Sequence, residues 1–83
     1  MAQLEDALEA YRAAQARVPA AEAEAKALVR QARDQLEAAR AARDAAIVAE
    51  ARAGTRQVDL IRRTGLARER VRSILRAGGV EAD

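Results

Sequence analysis

The chain predicts an all-α protein: long alanine-rich, coiled-coil-like helices followed by a C-terminal three-helix unit. Three observations carry that prediction. The first forty residues hold no glycine and no β-branched run, and they are dominated by Ala, Glu, Gln, Arg and Leu, which are good helix formers. Two short segments near the end, each with its own apolar face, are hinged at Gly65. Hydrophobic residues make up 51% of the 83 residues but are mostly alanine, and Tyr11 is the only aromatic, so no large core is available. A chain so built is a natural candidate for stabilisation by association.

Heptad periodicity organises the N-terminal region. With Leu8 at position a, the a row reads Met1, Leu8, Gln15, Glu22, Val29 and Leu36, and the d row reads Leu4, Tyr11, Val18, Ala25, Ala32 and Ala39. Leu4, Leu8, Tyr11, Val18, Val29 and Leu36 are the candidate dimerisation residues. Gln15 and Glu22 weaken such a seam but help to fix its register and stoichiometry.

Pro19 interrupts the pattern. Inside a helix, proline removes a hydrogen bond and clashes with the preceding turn at about 3 kcal/mol, whereas at a first helical position it costs little. With Glu22 and Glu24 placed for the opening turns of a new helix, the reading favours two helices, about 2–17 and 19–53. A hairpin and a kinked, roughly collinear rod are both compatible with Pro19. The second helix would run roughly 50 Å with only a narrow apolar stripe, and calls for a partner surface.

Near Asp44 the composition changes. Ile47, Val48 and Ala51 make a wider apolar patch ahead of Gly54, a natural helix stop. Ile47 is the large residue suited to pack against both later helices. The domain reading is a helical dimerisation region over 1–42, broken or kinked at Pro19, a three-helix unit over 43–79, and a disordered tail over 80–83.

In that unit, a helix over about 56–63 turns Leu60 and Ile61 inward, capped by Thr55 or by Arg56. Thr64, Gly65 and Leu66 make the turn, with glycine accepting the left-handed backbone. A last helix over about 67–77 gathers Ala67, Val71, Ile74 and Leu75 on one arc, opposite Glu69, Arg72, Ser73 and Arg76, with Arg68 and Arg70 on the flanks. The segment QVDLIRRTGLARERVRSIL resembles the helix-turn-helix superfamily of bacterial repressors and recombinase DNA-binding tails, in which a glycine sits at the turn and a hydrophobic residue comes next. Two departures stand out: Ile61 where the superfamily usually has a small residue, and Ala67 where Ser or Thr often caps the last helix.

The resemblance implies binding of double-stranded DNA, with the last helix in the major groove. Arg68, Glu69, Arg72 and Ser73 are then the candidate base-contacting residues: arginine can fork onto guanine and glutamate can accept from cytosine. Arg56, Gln57, Arg62, Arg63, Arg70 and Arg76 are candidate phosphate contacts, which set affinity and register without reading sequence.

Charge distribution points the same way. The net charge of +2 conceals a contrast: residues 1–42 carry six basic and seven acidic groups, whereas residues 52–76 carry eight arginines against Asp59 and Glu69, a local +6. Such a field favours a polyanionic partner.

The residue inventory excludes several classes. Without cysteine or histidine, common zinc sites and the usual acid–base constellations cannot be built. Ser73, Thr55, Thr64 and Tyr11 supply hydroxyls with no histidine base, so no enzyme, cofactor or metal is expected. No apolar run approaches the length of a membrane span, and the acidic N-terminus does not read as a signal peptide, so the expectation is a cytoplasmic, nucleoid-associated location. The leading reading is a homodimeric DNA-binding transcriptional regulator. Its alternatives are a nucleoid-architectural protein and a coiled-coil adaptor that binds a partner protein through its N-terminal helices.

Overall fold

The computed structural model describes residues 2–81; Met1, Ala82 and Asp83 lie outside them. The described residues form three α-helices and no strand: α1 (Gln3–Arg52), α2 (Gln57–Thr64) and α3 (Arg68–Ala77). No helix among them is long and apolar enough to cross a membrane.

The chain divides into two compact units, residues 1–35 and 36–83. In the first, every described residue is solvent-exposed and all but Ala2 are helical. The helix break expected at Pro19 does not occur: α1 runs through it without interruption. The physical reason lies in the flanks, where almost every neighbour is a strong helix former. Because Pro19 is exposed, the carbonyl it leaves unpaired one turn earlier is solvated rather than orphaned. Acidic Glu5 and Asp6 occupy the first turn of α1, where they favour its positive end.

The second unit contains the core. Ile47 of α1, Leu60 of α2, and Val71, Ile74 and Leu75 of α3 form one buried cluster, with Val48, Ala51, Ile61, Leu66 and Val80 packed against it. Val71 at its centre is fully enclosed. Helical spacing explains the set: Val71, Ile74 and Leu75 share one face of α3, and Leu60 with Ile61 one face of α2.

Hydrogen-bonded stops define the helix ends. The Gly54 and Thr55 amides donate to the Ala51 and Glu50 carbonyls at 3.0 Å each, with Gly54 at φ 104°. This paired closure needs a residue free to take the left-handed region. At Gly65, φ is 72° and the amide donates to Ile61 O at 3.0 Å, ending α2. At the end of α3, the Gly79 amide donates to Arg76 O at 3.0 Å and the Val80 amide to Leu75 O at 2.8 Å. The expected disordered tail is therefore corrected at Val80, which closes this turn and packs on the core; Glu81 is exposed.

Candidate nucleic-acid interface

Helix α3 is built to be held on one side and offered on the other. Its inward residues are fixed by the core, and Gly65 sets the corner that brings it against α2. Thr64 stabilises that corner twice: its Oγ1 donates to Leu60 O at 2.6 Å and accepts from the Leu66 amide at 3.2 Å. Ala67 occupies the N-cap of α3 with extended backbone (φ −66°, ψ 152°) and no side-chain cap, leaving the first-turn amides free of a capping side chain.

Of the base-contacting candidates, Arg68, Glu69 and Ser73 are exposed and Arg72 is half-buried. Arg72 is partly constrained. Its Nη1 lies 3.6 Å from Glu69 Oε1, and its Nε is enclosed without a hydrogen-bond partner. Glu69 thus sits beside a guanidinium of its own helix, one turn away, where an i,i+3 pair orients the longer side chain.

The phosphate candidates fall into three groups. Arg70 and Arg76 are exposed, and, like Arg68, have no carboxylate within ion-pair distance among the described residues. Arg56 and Arg62 are exposed on α2 and share Asp59, at 3.9 and 3.5 Å. Gln57 is half-buried, with its Nε2 enclosed and unpartnered. Arg63 stands apart, because both of its terminal nitrogens donate to Glu50 of α1 at 3.2 Å.

Thr55 does not cap α2; the N-cap is Arg56, without a side-chain cap bond. The Thr55 hydroxyl instead donates to Glu50 Oε2 at 2.7 Å. This hydrogen bond, together with that from Arg63 and its positive charge, holds the Glu50 carboxyl below its ordinary value, while the carboxylate raises the Arg63 guanidinium. Glu50 is the partner of Arg63 and Thr55 that sequence reasoning missed. It lies thirteen residues from Arg63, a separation with no helical or strand periodicity to mark it. Arg52 was missed likewise: its Nη2 donates to Gly78 O at 2.7 Å, satisfying a carbonyl at the end of α3.

The dimerisation candidates all lie exposed on α1: Leu4, Leu8, Tyr11, Val18, Val29 and Leu36 are between 41% and 66% accessible. Leu28, outside the a and d rows, is equally open at 66%.

Comparison with protein-family models, curated proteins and solved structures finds no match for this chain. The functional reading therefore stands on the residues and their geometry.

Proposed function

We propose that the chain binds double-stranded DNA as a homodimeric helix-turn-helix protein and acts as a transcriptional regulator. One observation carries this reading: α3 has Val71, Ile74 and Leu75 locked in the core while Arg68, Arg70 and Arg76 stand exposed with no acidic partner among the described residues. A helix about 10–12 Å across with its side chains matches the major groove, and its outward guanidinium groups can meet both guanine edges and phosphates. Arg68 and Arg72 take the base-reading role. Glu69 acts on Arg72 as well as offering an acceptor to cytosine, and Ser73 lies on the same outward face. Arg56, Arg62, Arg70 and Arg76 serve the backbone.

Selection of bound sequences from a random duplex pool, then competition with unrelated DNA, tests the proposal. A regulator prefers its selected site by about 10³ or more, and an inverted repeat among the selected sequences accords with two-fold pairing. Binding without preference replaces the regulator with a nucleoid-architectural role. Failure to retard any duplex at about 100 mM salt removes the DNA reading.

A second reading, a coiled-coil adaptor for a partner protein, is favoured by the exposed apolar row on α1. It predicts that Arg68→Ala and Arg72→Ala leave activity unchanged.

A further inference from the structure

The last turn of α1 holds both of the helices that follow it. Glu50 reaches α2 through Arg63. Arg52, two residues on and therefore about 200° farther round the helix, reaches α3 instead, donating from Nη2 to Gly78 O at 2.7 Å. Val48, one turn before Arg52 on the same face, lies so close to Gly78 that a Cβ there would stand 2.5 Å from its Cγ2. Gly78 is thus met by two side chains of α1, one apolar and one charged.

From this we infer that Arg52 is a positioning residue for DNA reading: without touching the duplex, it fixes the tilt at which α3 presents Arg68, Arg72 and Ser73. The two ends of α3 are held by different means. At its start, Thr64 and Gly65 form a corner closed by hydrogen bonds of its own. Past Leu75, the last buried residue of the helix, Arg76 and Ala77 are exposed. The closing turn is therefore held through Gly78 and, beyond it, through Val80 on the core. Arg52 brings a full positive charge to a carbonyl at the negative end of α3, which makes this a charge-assisted bond. No carboxylate among the described residues lies within ion-pair distance to draw it away.

Loss of that hold costs base reading more than affinity. A forked arginine–guanine contact needs two aligned hydrogen bonds, and hydrogen bonds weaken steeply off line. Phosphate contacts from Arg70 and Arg76 are dominated by charge, and these long, exposed side chains can adjust to a small displacement. A changed tilt of α3 therefore lowers sequence preference while the salt dependence stays in place.

The inference rests on the DNA reading of the proposed function, and its test separates the two. The full-length parent, Arg52→Ala and Arg52→Lys are titrated across a salt series on the site recovered by random-pool selection and on unrelated duplex. Amide hydrogen exchange is followed on the free proteins. Arg52→Ala should lower the preference for the selected site about tenfold at an unchanged salt slope. It should also speed exchange at the Gly79 and Val80 amides, which close the end of α3, and leave the Val71 amide as protected as before. Arg52→Lys, which keeps a charged donor, should restore most of the preference. A slope lowered by about 0.9 with preference intact makes Arg52 a phosphate contact and overturns the inference. Unchanged exchange at Gly79 and Val80 overturns it too, as does faster exchange at Val71, which marks a general loss of stability. A parent that selects its site while Arg52→Ala selects it equally well overturns the inference alone. A parent that retards no duplex, or retards all alike, overturns the regulator and the positioning role together.

Discussion

Arg63 of α2 grips Glu50 of α1 through two guanidinium nitrogens, each 3.2 Å from a different carboxylate oxygen. Thr55, in the connection between the two helices, donates to the same carboxylate. One acidic side chain therefore gathers the end of α1, the loop and the end of α2. An arginine that belongs, by sequence pattern, to the phosphate-facing set is employed in holding the unit together.

This arrangement predicts a pH dependence. The Glu50 carboxyl titrates below its ordinary value near 4.5 in the folded chain, so its contribution to stability is complete above that value and is lost as pH falls through the lowered one. Glu50→Gln should melt below the parent chain at pH 7, and the gap should narrow as the pH is lowered progressively below 4.5. A gap of unchanged size across this range would show that the carboxylate charge is not what stabilises the contact.

Gly78 predicts a packing limit. A Cβ there would stand 2.5 Å from Val48 Cγ2 and 3.0 Å from Val48 Cγ1. Valine is stiff about χ1 and cannot readily swing aside. Gly78→Ala should destabilise the C-terminal unit by about 1–3 kcal/mol through overpacking, measured by urea unfolding. The double variant with Val48→Ala should recover part of that loss.

Leu60 predicts how small the reserve is. It is 2% accessible and belongs to a core of five buried residues. Leu60→Ala should cost about 2–5 kcal/mol, which for so small a core abolishes the cooperative unfolding transition monitored by circular dichroism. Val58→Ala on the same helix, at 56% exposure, should change stability by less than about 0.5 kcal/mol.

Pro19 predicts the opposite sign. Lying exposed within α1, it denies the helix one hydrogen bond. Pro19→Ala should stabilise α1 by up to about 3 kcal/mol, visible as a higher melting temperature of the helical signal. No gain would mean that the neighbouring turns have already absorbed the defect.

The arginines of α3 predict two kinds of defect under the DNA reading. Arg70→Ala and Arg76→Ala should weaken binding to all duplexes alike and lower the salt slope by about 0.9 for each lost phosphate contact. Arg68→Ala and Arg72→Ala should cost about 1–3 kcal/mol at one base position and relax the preference there. Glu69→Gln, which removes the charge beside Arg72, should affect the same position as Arg72→Ala. Titrations on the selected site and on single-base variants distinguish these patterns.

Amino-acid order alone determined helices α2 and α3 and their inward faces. Leu60, Val71, Ile74 and Leu75 repeat at helical spacing, and Gly54 and Gly65 mark stops that other residues fill poorly, so local chemistry was sufficient. It also determined the apolar row from Leu4 to Leu36. Tertiary structure decided what depends on neighbours distant in sequence: that Arg63 is engaged by Glu50, that Thr55 serves this carboxylate instead of a helix cap, and that Val80 belongs to the core. Continuity through Pro19 was settled by the whole helix rather than by the proline, because the favourable propensity of many flanking residues outweighs one missing hydrogen bond. Periodicity records which face a side chain occupies; only the fold brings together groups that share no period.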